Sequence, residues 1–435
     1  MTSGDDDMRV GLATGWFVSP APQPQAPVVL FCLPHAGGGP SVFHRWSQLL
    51  GPDVDVAAVA LPGREGRFLD HPEWSVAELA DAVVARAGGR RYAFYGHSMG
   101  AKVAFEVVRE LRRRGAPLPG LVVFGGSRAP GRPHPLDGLS RLPDSELLRR
   151  LAEVGNLPAE VIEEPELRDL VMPAIRADFR WLDELTHPGE PPLPVPLRVF
   201  AGADDPLATP AELLHWLAHA GAGFRQRTLP GGHFFHVSDQ ARLAAAVRAE
   251  LAAVAGTAAG PSLAAAPPEE GEVHVWYARV EELAGLAGAT GELSPDESTR
   301  AEGLPPADRA GYVARSVLAR RVVAAYRDRA ADLRCAAGHG GPAAVVAVTR
   351  GHDVAVAVEP SPEPELARAA AGPGQPAPGG SMAGDRPGPQ AGWRLTRLPL
   401  PGAAGVVAQR RDSWRLCLEE VGAAHELAGP GGGSP

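Results

Sequence analysis

The stretch Arg91 to Gly100, Arg-Tyr-Ala-Phe-Tyr-Gly-His-Ser-Met-Gly, sets what the rest of the chain must be built around. An apolar, aromatic run from Tyr92 to Tyr95 leads into Gly96-His97-Ser98-Met99-Gly100. A helical pattern follows at once, with Val103, Ala104, Val107, Val108 and Leu111 at three- and four-residue spacing before Gly115 ends it. This reads as strand, sharp turn and helix, with Gly-x-Ser-x-Gly at the bend. Such a turn strains the serine, and its flanking glycines let backbone pass where a Cβ would clash. Ser98 Oγ is then expected to stand exposed above a sheet, over a helix N-terminus that favours developing negative charge. Ser98 is the candidate nucleophile.

The flanking sequence supplies the sheet. Val28–Leu33 reads as a buried strand ending in Pro34-His35-Ala36-Gly37-Gly38-Gly39, and 53–61 as a second strand closed by Pro62-Gly63-Arg64-Glu65. Val76–Ala87 has helical spacing, and a strand at about Leu121–Phe124 ends in Gly125-Gly126-Ser127-Arg128. Strands alternating with helices at these intervals indicate an α/β fold with a mostly parallel sheet covered on both faces. Between Ala129 and Pro196 the strand signal stops, and Leu139–Val154 and Pro165–Leu185 read as helices. This helical insertion, about 130–195, sits where a lid would; the plainer alternative is a structural excursion. Leu197–Ala201 resumes the sheet before Gly202-Ala203-Asp204-Asp205-Pro206. A helix at 210–220, a strand at 224–229, Gly231-Gly232-His233-Phe234-Phe235-His236 and a helix at 240–255 follow.

The chain's 435 residues, 45% hydrophobic, are enough for two cores. We divide it into a loose lead-in (1–26), an α/β domain (27–255), a linker of Ala, Gly and Pro (256–271) and a small α+β region (272–435). Within the last, residues 372–392 are so rich in Gly and Pro that disorder is expected. A net charge of -9 without a basic, aromatic-interleaved cluster argues against nucleic acid as a partner. The three cysteines are far apart and lack metal-ligand spacing, which suits a reducing compartment. The acidic N-terminus has no apolar core of a secretory signal, and no run approaches the ~20 residues that span a bilayer. A cytoplasmic protein, not a membrane one, is expected. All basic residues but one are arginine; the exception is Lys102.

A serine hydroxyl needs a base, and the base needs an orienting acid. Ser98, then an aspartate pair, then a histidine all fall on turns after strands, in the order Ser, Asp, His found in α/β-hydrolases. Asp205 is preferred to Asp204 as the acid because Pro206 fixes the turn behind it. His233, after two glycines, is preferred to His236 as the base. The tetrahedral intermediate needs backbone donors, for which Met99 N–H and Ala36 N–H are the candidates. His35 is read as structural. No metal site is expected, and without Gly-Lys-Ser/Thr the turn at 37–39 is a weak phosphate cradle. These parts define a serine hydrolase without separating ester, thioester and amide.

Further stretches carry a resemblance. Phe-Cys-Leu-Pro-His-Ala-Gly-Gly-Gly (31–39), Leu-Pro-Gly-Arg-Glu (61–65), Tyr-Gly-His-Ser-Met-Gly-Ala (95–101) and Ser-Arg-Ala-Pro (127–130) resemble the type II thioesterases of non-ribosomal peptide and polyketide synthesis. So do the lid stretch 167–179, Gly-Ala-Asp-Asp-Pro-Leu (202–207) and Gly-Gly-His-Phe-Phe (231–235). The resemblance spans about residues 16–255 and departs at His236, where an aliphatic residue is expected. It implies an α/β-hydrolase that removes acyl groups from the phosphopantetheine arm of acyl or peptidyl carrier proteins in antibiotic biosynthesis. Ser98, Asp205 and His233 would be its triad, no cofactor would be needed, and the insertion would be its lid. The alternatives are a small-molecule serine esterase, or a function lodged in the C-terminal region.

That region resembles, more faintly, a 4′-phosphopantetheinyl transferase through Val-His-Val-Trp (273–276), Leu-Ser-Pro-Asp-Glu (293–297), residues 308–315 and Ala-Val-Ala-Val-Glu (355–359). Strands at Trp393–Leu395 and Val406–Ala408 would close it. The family binds magnesium through Asp-x-Glu on a strand; the matching positions here are Ala357 and Glu359. Its lysine-bearing helix and its His-Ser motif for coenzyme A are missing too. The resemblance therefore implies a degenerate domain, with magnesium and coenzyme A as ligands only if it is active.

Overall fold

The computed structural model describes residues 15–155, 161, 163–187, 189–256, 272–279, 289–327, 333–340, 343–350, 354–360, 394–400, 403–409 and 415–420. Most of the lead-in, the linker from residue 257 and the segment 372–392 lie outside these. The chain divides into two compact units, 1–222 with 229–258, and 223–228 with 259–435.

In the first unit β1 (Phe17–Val18), β2 (Val28–Leu33), β3 (Val54–Val59), β4 (Arg91–His97), β5 (Leu121–Gly125) and β6 (Leu197–Gly202) form a sheet in the order β1-β3-β2-β4-β5-β6. All neighbours are parallel except β1, which runs antiparallel to β3. Every residue of β2 and β3 is buried; β2 is the continuous apolar run that cover on both faces requires, and β3 buries one charge, Asp55, paired with Arg86 and Arg90. Helix α1 (Val76–Ala87) opens with a reciprocal capping box between Ser75 and Glu78. Helix α2 (Met99–Arg113) follows β4, and one face of the sheet, Tyr95 of β4 included, packs on Phe43, Trp46 and Leu243.

The register matters for function. Leu33 pairs with Gly96, His97 with Gly125, and Gly125 with Phe200. The C-terminal ends of β2, β4, β5 and β6 therefore lie side by side, and the turns after them share one edge, where open parallel sheets place their sites.

The expected insertion is present and helical, with one correction. Leu139–Val154 is not one helix: a 3-10 turn covers Leu139–Arg141, and α3 runs Asp144–Glu153. Pro143 is the reason, because the residue before a proline is driven out of the helical region, and Leu142 is extended at φ -77, ψ 152. The long helix α4 (Pro165–Glu184) follows. The helix expected at 210–220 is likewise α-helical only over Pro210–Leu213, then 3-10 over Leu214–His219. Strand β7 (Phe224–Leu229) and helix α5 (Gln240–Ala255) have the expected bounds.

The second unit is a small α+β assembly. Strand β10 (Ala343–Arg350) lies between β8 (Glu272–Arg279) and β9 (Leu333–Gly340), antiparallel to both, and β14 (Arg415–Glu420) runs parallel to β8. Strands β11 (Val354–Pro360), β13 (Ala403–Gln409) and β12 (Arg394–Leu400) make a separate antiparallel sheet. Helix α6 (Pro295–Glu302) precedes α7 (Pro306–Arg327), which packs Val317, Val322 and Tyr326 with Trp276 and Val346. Tyr326 Oη accepts hydrogen bonds from Trp276 Nε1 (3.0 Å) and pairs with His274 Nδ1 (2.8 Å). Among the described residues no helix is long and apolar enough to cross a membrane.

Candidate active site

Ser98 occupies the bend between β4 and α2 with φ 53 and ψ -113, a left-handed conformation that costs a side-chain-bearing residue roughly 1–3 kcal/mol. Two glycines make the bend possible. A Cβ on Gly96 would lie 2.2 Å from Gly100 O, and one on Gly100 would lie 2.2 Å from Leu33 O. Strand β4, helix α2 and the end of β2 thus approach at backbone distance, and Ser98 N–H donates to Gly125 O at 2.8 Å.

The structure brings Ser98, His233 and Asp205 into a line. Ser98 Oγ is 3.1 Å from His233 Nε2, and His233 Nδ1 is 2.8 Å from Asp205 Oδ2. An ionised carboxylate only accepts, so Nδ1 carries the imidazole proton and Nε2 offers its lone pair to the serine hydroxyl. Asp205 Oδ1 accepts from Leu207 N–H (2.8 Å) and Ala208 N–H (3.0 Å), which stabilises the buried charge and fixes the other oxygen on the histidine. Asp204 is exposed and contributes only its backbone N–H, to Gly231 O. That bond, and Ala203 N–H to Leu229 O at 2.8 Å, tie the aspartate turn to the histidine turn.

Behind His233 is a cluster that the sequence showed only as scattered letters. His97 is fully buried, and its Nε2–H donates to the His233 carbonyl at 2.8 Å, so its Nδ1 accepts from Tyr95 Oη at 3.2 Å. His236 stacks on His97 with centroids 3.5 Å apart, and its Nε2 is 3.0 Å from His35 Nδ1. The position at which His236 departs from the family pattern is thus filled by an imidazole packed between two others. Burial holds all three neutral: His97 and His236 well below 6.5, His35 at about 4, with the other imidazoles' charges adding to it.

The glycine turn after β2 is braced from the insertion. Arg64 and Asp178 form a buried two-pronged pair, Nη1–Oδ2 and Nη2–Oδ1 both 2.7 Å. Asp178 Oδ2 also accepts Gly37 N–H at 2.8 Å, and Arg64 Nη1 donates to Gly38 O at 3.2 Å. Helix α4 is thereby fastened to the turn that carries Ala36. The two residues sit in stretches 61–65 and 167–179, which the sequence marks, but a separation of 114 residues gave no means of pairing them.

A cavity of about 520 Å³ opens over Ser98, lined by Ala36, Met99 and His233 on one side and by the insertion residues Asp137, Phe179 and Leu182 on another. Lys102 lines it too. No group of three or more His, Cys, Asp or Glu among the described residues is arranged to hold a metal ion. In the second unit Ala357 and Glu359 lie on β11, paired with Val406 and Ala404.

A serine on a strand–helix bend at the carboxyl edge of a parallel sheet, facing a histidine from a later turn, defines an α/β-hydrolase. Residues 29–251 match the family model of the thioesterase domain. The chain belongs to the thioesterase family and is a hydrolase acting on thioesters. Thioesterase PikA5 of Streptomyces venezuelae is 37% identical over 224 residues, covering 50% of this chain and 79% of that one. Gramicidin S biosynthesis protein GrsT of Aneurinibacillus migulanus is 30% identical over 223 residues, 51% of this chain and 87% of that one. The crystal structure of ClbQ from the colibactin NRPS/PKS pathway is similar at a TM-score of 0.50 and 26% identity, over 53% of this chain and 99% of that one.

Proposed function

We propose that this chain hydrolyses acyl thioesters from the phosphopantetheine arm of acyl or peptidyl carrier proteins, as an editing thioesterase of a non-ribosomal peptide or polyketide synthase. The observation that carries the reading is the Ser98–His233–Asp205 line, 3.1 and 2.8 Å, beside a cavity lined in part by the insertion. Relatives such as PikA5 and GrsT, by their descriptions, support thioester chemistry in antibiotic biosynthesis.

In this mechanism His233 Nε2 takes the Ser98 proton as Oγ attacks the thioester carbonyl. Asp205 stabilises the imidazolium and holds its orientation. Met99 N–H and Ala36 N–H donate to the oxyanion, helped by the α2 N-terminus. Collapse expels the pantetheine thiol, which takes its proton from His233. A water deprotonated by His233 then attacks the acyl-serine and releases the acid. Water is the only co-reactant.

Deacylation of acetyl-loaded carrier protein by wild type and Ser98→Ala tests the proposal. Loss of all but about 10⁻³ of the rate in the variant is expected. A variant that retains most of the rate refutes Ser98 as nucleophile. Equal efficiency on the carrier-bound thioester and a simple small ester would instead favour an esterase.

A further inference from the structure

Lys102, the chain's single lysine, lines the cavity instead of the solvent face. Ser98 stands at the N-cap of α2 and Lys102 in its first turn, and both line the same cavity. Helical side chains lean back towards the N-terminus, which brings the lysine stem towards the serine.

Among the described residues nothing neutralises this ammonium directly. Its contact is the face of Trp216, with Nζ 6.0 Å from the ring centroid. The nearby carboxylates attract this charge but make their hydrogen bonds to other groups. Glu106 accepts Arg109 Nη1 at 2.6 and 2.8 Å, and Asp137 accepts His134 N–H at 2.7 Å. Arg128, the neighbouring cation, is taken by Glu212 at 2.7 Å and by the carbonyls of Leu207 and Pro133. The surrounding imidazoles of His134, His187 and His219 are lowered to about 3, 4 and 4, by burial first and by the Lys102 charge second. Burial also lowers Lys102 itself to about 8, with Asp137 and Glu106 opposing, so it is still mainly a cation at neutral pH. Arg132, Arg141, Asp137 and Asp183 line the cavity as well, but a cation that no carboxylate hydrogen-bonds is poor surroundings for an alkyl end and good surroundings for a carboxylate.

We propose that Lys102 selects acyl groups bearing a second carboxylate, short dicarboxylic half-thioesters of the malonyl type, by pairing with the distal carboxylate while the thioester carbonyl sits at Ser98. The inference rests on the thioesterase reading of the same site and adds its substrate class. A salt bridge of this kind discriminates through the unpaired charge left when a neutral acyl group takes its place.

The test is the ratio of kcat/KM for malonyl- over butyryl-N-acetylcysteamine thioester, measured for wild type, Lys102→Met, Lys102→Arg and Ser98→Ala. We expect wild type to prefer the malonyl thioester and Lys102→Met to lower the ratio about tenfold or more. Lys102→Arg, which keeps the charge, should retain most of the preference. A ratio unmoved by Lys102→Met overturns the inference while leaving Ser98-dependent hydrolysis in place. Hydrolysis of both thioesters by Ser98→Ala at the wild-type rate overturns the parent reading instead.

Discussion

Asp205 shows how much of this site depends on the state of one oxygen. Oδ1 is saturated by two backbone N–H groups, so Oδ2 has a single task, receiving the His233 Nδ1 proton. Asp205→Asn preserves the shape but can turn an amide N–H towards Nδ1. The imidazole then carries its proton on Nε2, facing the serine, and cannot act as a base. We expect kcat for thioester hydrolysis to fall by about 10³–10⁴-fold with the thermal melt little changed. Asp204→Asn, at the exposed neighbour, should stay within about twofold of wild type. Comparable losses in the two variants would show that the carboxylate assignment is wrong. The same local logic made this part of the site legible from sequence. Ser98, Asp205 and His233 each sit on a short turn whose glycines or proline announce it, and chain order ranks them. His97 was not legible, because its partner is a backbone carbonyl 136 residues away, and backbone carbonyls leave no trace in a sequence.

At the level of elements, the insertion helix α4 and the glycine turn after β2 behave as one piece because Asp178 serves both. It pairs with Arg64 on two prongs, both side chains buried, and accepts Gly37 N–H from the exposed turn. Removing one partner leaves a buried charge without compensation. Asp178→Leu is therefore expected to destabilise the domain by about 3–5 kcal/mol in urea unfolding, whereas Arg64→Met/Asp178→Leu together should recover a large part of that. A double variant no more stable than the single one would mean that the pair matters for its shape, not its charge. The strands and most helices were legible because apolar runs and 3.6-residue spacing are local signals. The break inside Leu139–Val154 lay in plain sight at Pro143, overridden by an apolar pattern that continues on both sides of it. How the insertion attaches to the sheet depends on contacts between segments far apart in the chain, which periodicity does not encode.

Across the hydrolase unit as a whole, the buried imidazoles couple stability to pH. His97 and His236 are fully buried; both His97 ring nitrogens are hydrogen-bonded, whereas His236 Nδ1 has no hydrogen-bond partner among the described residues. Both are lowered well below 6.5 by burial, while in the unfolded chain they titrate near 6.5. Below that value the unfolded state binds more protons, so stability is complete above about pH 6.5 and is lost progressively as pH falls. The slope is about 1.4 kcal/mol per pH unit for each such histidine until its lowered value is reached. His35, at about 4, adds to the same window. We expect the melting temperature to drop by more than about 5 °C between pH 7 and pH 5. His236→Phe removes one titrating group while keeping an aromatic ring against His97, and should flatten that dependence by close to one histidine's share. If wild type and His236→Phe lose stability in parallel over this range, then His236 is protonated in the folded protein, and the cluster behind His233 is not the neutral stack that its burial dictates.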